Sequence, residues 1–481
     1  MYESCKLTRR SPAVSVRTIR EGMVADEFKD GQHAGTSERR PSEAGQRAVG
    51  AAAPVARVGG GYRFAQLKAV LAHRRRVTGL VLVLLVLPLA LALFRVTHSA
   101  ADTSLPTPPA ARGRVAGFLA PEDLNRFYVQ DGEVRVDIQQ GSASAVLTLD
   151  ERLQRHVIEK LETYEVPFGA LVAIEPLTGR VLAYVSRSVA NPQAGDLARD
   201  VSPPAASIFK LVTAAALLEA GVSPGKKTCY HDSLHGIERH HLSDAPQRDD
   251  ACAGLGEALS NSTNAVFAKL ALRHLSPKSL GAMADRFAFG RHVPFDFAWQ
   301  PSPYRLPEDE LEFARASAGF WHTHLSPLHG ATIAASIANK GLMRPPFLVA
   351  EIRPKARGKT PLYRYRPEPG QRVLKPEVAA TLGKLMEGTA RYGTAKNAFY
   401  DRNGRPFLPN ITVSSKTGTL NGQAPYRGYT WWVGYAPVDN PKIAVAALVV
   451  NTPKWRIKAS YLGREALRVH LLSNAKRGGG S

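Results

Sequence analysis

The chain has 481 residues, 44% hydrophobic and 22% charged, a composition that is typical of globular proteins and excludes wholesale disorder. Three cysteines exclude a small disulfide-rich scaffold. The formal net charge is +22, but residues 1–76 hold 15 Lys+Arg against 7 Asp+Glu, so most of the excess is spread over the remaining chain. Such diffuse basicity favours anionic lipid or an acidic polymer as a partner, and we expect no nucleic acid.

An uncharged apolar run, VTGLVLVLLVLPLALALF, begins at Val77. Because a helix needs about 20 apolar residues to cross the hydrocarbon layer, residues 77–95 are predicted to be a transmembrane anchor. Basic residues cluster just before the run, whereas residues 96–111 contain no Lys or Arg. The positive-inside bias therefore predicts a single-pass protein with its N-terminus in the cytoplasm. A cleaved signal peptide is the alternative, but its basic region would be 76 residues long.

The rest of the chain divides by composition. Residues 1–76 lack apolar periodicity and are predicted to be a disordered cytoplasmic tail. Residues 96–144, which begin with a Pro- and Ala-rich stretch, are interpreted as an extracytoplasmic linker. Residues 145–472 are expected to fold as one body that is large enough to be a catalytic domain. Residues 473–481 are expected to be a flexible tail.

Helix and strand patterns alternate within this body. Helical spacing of apolar residues predicts helices over 150–165 and 465–473. Runs of β-branched residues predict strands over 169–175, 180–187, 411–420, 430–435 and 443–450. Strands at both ends and a helical middle predict a mixed α/β fold, in which the first and last strands share one sheet and the middle forms a second lobe. A cleft between sheet and lobe is then the expected site of chemistry.

Lys210 is the most informative local anomaly in this body. The segment 207–220, SIFKLVTAAALLEA, is apolar on nearly all sides, which indicates a buried helix. Ser207 precedes Lys210 by three residues and so lies on the same helix face. Because burial lowers the pKa of a lysine, Lys210 is a candidate base for a nucleophilic Ser207. A lysine that extends its ammonium group to the surface is the simpler alternative.

The spacing S-x-x-K is weak by itself, since it also occurs at Ser223–Lys226 and Ser473–Lys476. The first of these contains Pro224-Gly225, a turn, and the second lies in the C-terminal tail. Ser223 also completes a G-x-S-x-G string. However, a hydrolase elbow needs a preceding strand and a following helix, and here a helix precedes and a proline follows.

Two further motifs strengthen the interpretation of Ser207. Ser262-Thr263-Asn264 opens a helical stretch, and Lys416-Thr417-Gly418-Thr419 follows the strand-like NITVSS. In this order, S-x-x-K, S-x-N and K-T-G resemble the three motifs of penicillin-recognising serine transferases and hydrolases. Further segments resemble penicillin-binding protein transpeptidases, namely 147–154, 169–186, 326–341, 393–395 and 431–451. The chain is therefore similar to penicillin-binding proteins over about 145–472, most of all to the monofunctional class B type.

The resemblance implies a β-lactamase/transpeptidase-like fold, with an antiparallel sheet flanked by helices and an all-helical lobe. It implies that Ser207 attacks the penultimate D-alanine carbonyl of a peptidoglycan stem peptide and that Lys210 takes the serine proton. Ser262 would relay a proton to the leaving amine, and Asn264 would hold the substrate amide. Lys416, Thr417 and Thr419 would bind the terminal carboxylate, and Gly418 would leave room for the substrate backbone. The Ser207 and Thr419 N–H groups would form the oxyanion hole.

The resemblance also sets expectations about partners and location. It implies stem peptides and β-lactam antibiotics as ligands, no cofactor or metal, and a periplasmic body anchored in the lipid of a bacterial inner membrane. Residues 95–145 are too few for a glycosyltransferase domain or for the large pedestal domain of class B proteins. A cell-wall glycosyltransferase therefore stays an open candidate partner rather than an expected one.

Cys229 and Cys252 are expected to form a disulfide, because they would lie in an oxidising compartment. The intervening segment contains His231, His235, His240 and His241, which we interpret as part of a polar, solvated loop. Zinc bound by Cys229 and histidines is the alternative, although the spacing matches no finger or ribbon. Cys5, in the tail, is expected to be a reduced thiol.

Two other functions fit the same motifs. A β-lactamase would also acylate Ser207, but a class A enzyme needs a deacylating glutamate. The candidates are Glu308, Glu310 and Glu312, and no Asn follows them. A non-catalytic β-lactam sensor would show a signalling domain or a broken motif, and the sequence shows neither. The expected function is a serine D,D-transpeptidase, with a D,D-carboxypeptidase as the alternative.

Overall fold

The computed structural model describes residues 113–232, 236–356, 358–423 and 425–478, which belong to one compact unit. The helices in this part of the chain are α1 (Glu151–Thr163), α2 (Lys210–Glu219), α3 (Leu255–Asn261), α4 (Asn264–His274), α5 (Pro277–Arg286), α6 (Glu310–Ser317), α7 (Pro327–Ala338), α8 (Pro376–Arg391), α9 (Lys396–Phe399) and α10 (Ala459–Gly478).

The strands fall in a first group, β1 (Tyr128–Gln130), β2 (Glu133–Ile138), β3 (Ala143–Leu147), β4 (Phe168–Ile174), β5 (Val181–Arg187), β6 (Thr228–Tyr230) and β7 (Ala251–Ala253). The later strands are β8 (Leu342–Met343), β9 (Val349–Pro354), β10 (Tyr363–Arg364), β11 (Gln371–Arg372), β12 (Ser414–Gln423), β13 (Tyr426–Ala436) and β14 (Ile443–Asn451).

The predicted cytoplasmic tail and the predicted anchor, residues 77–95, lie outside the described residues. Within the described ranges, no helix has both the length and the apolar character that crossing a membrane requires.

The central sheet has the strand order β12-β13-β14-β4-β5, and every neighbouring pair is antiparallel. In chain order, β4 is the first strand of this sheet and β14 is the last. These two strands pair with each other, so that Val449 lies opposite Gly169. This pairing confirms that the two ends of the body share one sheet. All nine residues of β14 are buried, which explains its continuous apolar sequence, because both faces of the strand are covered.

Helices cover both faces of this sheet. On one face, Leu153, Val157 and Leu161 of α1 recur every four residues and pack with α10 against the strands. The Asp150 side chain caps α1 by accepting hydrogen bonds from two backbone N–H groups. On the other face lies α7, where a Cβ at Gly330 would come within 3.0 Å of Ala446. The sheet is thus the middle layer of a mixed α/β body.

The predicted linker, residues 96–144, is wrong from residue 113 onward. Residues 113–147 include β1, β2 and β3, which form a second antiparallel sheet in the order β1-β2-β3-β9-β10. The alternation that marks a half-buried strand is present in β2, where Val134, Val136 and Ile138 are buried. Its neighbour β3 pairs with β9, about 200 residues downstream, so the stretch looks like a linker when it is considered alone.

Two smaller expectations also differ from the structure. The lobe between β5 and β12 is not all-helical, because β6 and β7 form a two-stranded ladder within it. The C-terminal tail was predicted to begin at residue 473, but α10 continues to Gly478. The β6–β7 ladder depends on pairing between two separate segments, which local periodicity does not reveal.

Candidate active site

Ser207 lies in a short 3-10 turn, Ala206–Ile208, directly before α2. The preceding residue, Ala206, has a φ of 49°, a left-handed conformation that is strained for a residue with a Cβ. Gly319 packs against this turn, since a Cβ there would come within 2.0 Å of the Ala206 carbonyl oxygen. Gly319 also has a φ of +90°, so glycine is required on both grounds. The chain at Gly319 therefore supports the turn that presents Ser207.

Lys210 is fully buried at the start of α2. Its Nζ lies 2.9 Å from Ser207 Oγ, 2.7 Å from Asn264 Oδ1 and 2.8 Å from the Ala318 carbonyl oxygen. The Asn264 and Ala318 oxygens can only accept hydrogen bonds. A neutral amine has two N–H groups and one lone pair, so it can donate to both oxygens and direct its lone pair at the Ser207 hydroxyl. These contacts suit a general base.

The protonation states of the two buried lysines are coupled. Burial lowers the pKa of Lys210 well below its ordinary value, and the charge of Lys416 lowers it further. Lys416 is also fully buried, and this burial lowers its pKa to about 7. Because one ammonium disfavours the other, a charged Lys416 favours the neutral form of Lys210. Lys210 is thus the candidate base, and Lys416 the candidate cation.

Ser262 and Asn264 lie at the junction between α3 and α4. Ser262 ends α3 in a left-handed conformation, with a φ of 59°, and Asn264 begins α4. Because the chain changes direction at Ser262, the Ser262 and Asn264 side chains contact different lysines. Ser262 Oγ accepts from Lys416 Nζ at 2.9 Å, whereas Asn264 accepts from Lys210. Asn264, predicted to hold the substrate amide, therefore contacts the candidate base, Lys210.

The K-T-G motif lies within β12 rather than at its end, because the strand begins at Ser414 and continues to Gln423. Lys416 Nζ donates to Ser262 Oγ and, at 2.7 Å, to the Thr417 carbonyl oxygen. Through its two lysines, the structure joins all three predicted motifs in one hydrogen-bonded site. The residues that it brings together are Ser207, Lys210, Ser262, Asn264, Lys416 and Thr417.

Gly418 packs closely against the turn that carries Ser207. A Cβ at Gly418 would lie 3.3 Å from side-chain atoms of Ala206, Ile208 and Trp431, so the glycine allows β12 to pack against the turn that carries Ser207. The expectation that its missing side chain also makes room for the substrate backbone stays a prediction. The close packing brings β12, including the exposed Thr419, alongside Ser207.

Three positions in the site were not recognised as functional from the sequence. The Ala318 carbonyl and Gly319 support Lys210 and Ser207, and Thr394 Oγ1 is hydrogen-bonded to Thr417 Oγ1. A backbone carbonyl carries no residue-type signal, so Ala318 could not be found. Thr394 belongs to the G-T-A segment at 393–395, which was noted as similar to the family but was not assigned a role.

Cys229 and Cys252 lie opposite each other in the β6–β7 ladder and are joined by a disulfide. A cross-link closing a loop of this length stabilises the fold by about 3 kcal/mol on the chain-entropy argument. The loop between them is not simply solvated, because His231 and His241 are buried. His231 Nδ1 lies 2.6 Å from Asp249 Oδ1, a contact that lowers the pKa of Asp249 to about 2.

The zinc alternative requires the Cys229 sulfur as a metal ligand, but this sulfur is bonded to Cys252 in the disulfide. Within the described ranges, no group of three or more His, Cys, Asp or Glu side chains is arranged to hold a metal ion. His235 lies outside these ranges.

The glutamates considered for a β-lactamase lie at or near the start of α6. Glu308 and Glu310 are exposed. Glu312 is bound by Arg315 Nη1 at 2.6 Å and by His322 Nε2 at 2.7 Å. These hydrogen bonds outweigh partial burial and lower the pKa of Glu312, which makes it a weaker base. The structure therefore gives no support to Glu312 as a deacylating base.

Comparison with known proteins agrees with this geometry. The family described as penicillin binding protein transpeptidase domain matches residues 169–465, more than half of the chain. This chain belongs to the penicillin-binding protein transpeptidase family. The match covers all three motifs, so the resemblance inferred from Ser207, Ser262 and Lys416 is confirmed at the level of the family.

Individual relatives are moderately similar. The chain is 31% identical over 322 residues to a protein named peptidoglycan D,D-transpeptidase PbpA from Mycolicibacterium smegmatis, covering 58% of this chain and 61% of that protein. It is 22% identical over 368 residues to peptidoglycan D,D-transpeptidase MrdA from Haemophilus influenzae, covering 68% of this chain and 56% of that protein. The chain thus spans about three-fifths of the length of these curated relatives.

Solved structures show the same fold. The crystal structure of PBPA from Mycobacterium tuberculosis matches with a TM-score of 0.56 and 26% identity, covering 68% of this chain and 80% of that chain. An imipenem acyl-enzyme complex of penicillin-binding protein A from M. tuberculosis matches with the same TM-score, at 27% identity and over 68% of this chain and 79% of that chain. The predicted mixed α/β transpeptidase fold with antiparallel sheets is confirmed.

Proposed function

We propose that this penicillin-binding protein is a serine D,D-transpeptidase that cross-links peptidoglycan. Its substrates are stem peptides ending in D-Ala-D-Ala, and β-lactams act as substrate-like inhibitors. The observation that carries the proposal is the position of Lys210 Nζ between Ser207 Oγ and two carbonyl-type oxygens. That arrangement holds a neutral amine against a serine hydroxyl, which acyl transfer through an ester requires. The PbpA relatives named D,D-transpeptidase support the same reaction.

The first step forms the acyl-enzyme. Ser207 Oγ attacks the carbonyl carbon of the penultimate D-alanine, while its proton moves to the lone pair of Lys210. The negative charge that develops on the carbonyl oxygen would be stabilised by the N–H groups of Ser207 and Thr419. Such donors are typically worth about 3–4 kcal/mol each. The C–N bond then breaks and the terminal D-alanine leaves as an amine.

Proton delivery to that amine is assigned to Ser262. Its hydroxyl accepts a hydrogen bond from Lys416 Nζ, so its own O–H proton remains available to donate into the cleft. Lys416 can resupply the proton that Ser262 gives up. The same ammonium group attracts the terminal carboxylate of the substrate, together with the hydroxyls of Thr417 and Thr419. In the second step an acceptor amine attacks the ester carbonyl and gives a proton to Ser262, which restores the Lys416 ammonium. The ester C–O bond breaks, and Lys210 returns its proton to Ser207 Oγ.

The nature of the acceptor distinguishes the candidate reactions. We expect the extracytoplasmic part of the protein, incubated with a pentapeptide stem and an acceptor amine, to yield a product whose mass is that of the cross-linked peptide. A product lacking only the terminal D-alanine would indicate a D,D-carboxypeptidase instead. Rapid release of hydrolysed penicillin would indicate a β-lactamase. Binding of penicillin with no peptide product of either kind would indicate a sensor and overturn the proposal.

We further propose that the protein is anchored in the bacterial inner membrane by residues 77–95, with the catalytic body in the periplasm. The run of 18 uncharged residues and the basic cluster before it support this orientation. A reporter fused after residue 110 is expected to be active only outside the cytoplasm. Reporter activity in the cytoplasm would contradict the proposed orientation.

A further inference from the structure

Thr394 connects two of the catalytic motifs. It follows the end of α8, and its backbone N–H donates to the Ser260 carbonyl oxygen at 3.1 Å. The neighbouring Gly393 lies so close to α3 that a Cβ would come within 2.2 Å of that oxygen. Ser260 precedes Ser262 by two residues, and the Thr394 hydroxyl is hydrogen-bonded to the hydroxyl of Thr417 in β12. Thr394 thus bridges the S-x-N helix and the K-T-G strand.

The hydrogen bond between these two hydroxyl groups can run in either direction. Each threonine hydroxyl has one proton to donate. Thr394 Oγ1 has two acceptors within reach, Thr417 Oγ1 and the Ser260 carbonyl oxygen, but the latter is 3.4 Å away, which is long for a hydroxyl donor. If Thr394 donates to Thr417, the proton of Thr417 is free to donate elsewhere. If Thr417 donates to Thr394, it has no proton left for a ligand.

We propose that Thr394 is a positioning residue for the substrate carboxylate, acting through Thr417. A carboxylate bound beside Lys416 accepts the Thr417 proton in a charge-assisted bond, which is about twice as strong as the neutral bond between the threonines. Thr394 then donates to Thr417 Oγ1 and fixes its direction. The inference rests on the proposed function, in which Thr417 binds the terminal carboxylate.

The test replaces the Thr394 hydroxyl without changing its shape. In Thr394→Val, the dissociation constant of the non-covalent complex with a carboxylate-bearing penicillin is expected to rise about tenfold. This is the loss of affinity expected when one oriented hydrogen bond to a charged group is removed. The rate constant of the acylation step should change little, because Ser207 and Lys210 are untouched. Thr394→Ser, which restores a hydroxyl, should recover capture to near the wild-type value. Stopped-flow acylation at varied penicillin concentrations separates the two constants.

A double-mutant cycle decides whether Thr394 acts through Thr417. Thr417→Val with Thr394→Val should be no weaker in capture than Thr417→Val alone, because both changes remove the same donated proton. Additive losses would overturn the proposal, and so would wild-type capture by Thr394→Val. The matched control is Thr381→Val, because Thr381 lies on α8 itself and its hydroxyl donates within the helix, to the Glu377 carbonyl oxygen. Thermal unfolding of each variant reports any loss of the fold itself.

The wild-type protein separates this inference from the proposed function. If wild type acylates normally and Thr394→Val matches it, the role of Thr394 is wrong and the transpeptidase proposal stands. If wild type forms no adduct on Ser207, both proposals fail together.

Discussion

Ser207→Ala is expected to abolish covalent labelling by a penicillin, because the oxygen that forms the ester is removed. Turnover of a stem peptide should fall on the order of 10⁶-fold, as for removal of the nucleophile in serine hydrolases. The fold should be retained, since the change removes one hydroxyl from a half-buried position at the start of α2. Mass spectrometry of the labelled protein and its peptides measures both the amount and the position of the adduct.

The matched control is Ser223→Ala. Ser223 and Lys226 have the same spacing as Ser207 and Lys210, but both are exposed and lie in a turn. This variant is expected to label like wild type. Labelling that persists in Ser207→Ala would refute the assignment of the nucleophile, whereas an unfolded Ser207→Ala protein would be detected by its thermal unfolding. In that case Ser207→Cys, which keeps a side chain of similar size, locates the adduct instead.

Lys210→Met is expected to slow acylation by about 10³-fold or more, because an unassisted serine hydroxyl is a poor nucleophile at neutral pH. Methionine fills the buried space without a polar atom, so the change avoids the cavity that alanine would leave. The Asn264 and Ala318 oxygens lose their donor, which should also lower the unfolding free energy by about 1–3 kcal/mol. The measurement is the second-order rate constant of acylation, with Lys226→Met as the exposed control.

The pH dependence of the same reaction tests the protonation state. Acylation needs neutral Lys210, and the pKa of Lys210 is lowered by burial and by Lys416, so the rate should rise with pH on the acid side. Binding of the penicillin carboxylate needs a charged Lys416, whose pKa is about 7. The second-order rate constant of acylation should therefore fall above about pH 7. In Lys210→Met, the acid limb should disappear while the alkaline limb remains. An unchanged acid limb in this variant would contradict the assignment of Lys210 as base.

The three motifs could be predicted because each depends on local rules. Ser207 and Lys210 share a helix face because they are three residues apart, and their apolar surroundings indicated burial. The antiparallel strands at both ends of the body have periodic or continuous apolar sequences, which is why β4, β5 and β14 were expected within one residue of their observed bounds. β13 begins four residues earlier than expected. The resemblance to a family then placed Ser262 and Lys416 in the same cleft.

The second sheet could not be predicted with the same rules. Its strands β1, β2 and β10 are short, and its central pairing joins Ala145 to Ile352 across more than 200 residues. A strand of two to six residues is not stable alone, so its sequence determines little until a partner is present. The stretch before residue 145 was therefore interpreted as a linker.

The sequence by itself indicated the candidate nucleophile, base and cation, because each is a side-chain type at a fixed local spacing. Tertiary structure decided what surrounds them. The Ala318 carbonyl that holds Lys210 comes from a segment 108 residues away, and Thr394 meets Thr417 across 23 residues. A backbone carbonyl or a threonine hydroxyl occurs throughout any chain, so only the packing of distant segments can make one of them part of a site. The same packing buries Lys210 and Lys416 together, and this burial selects the neutral form of Lys210.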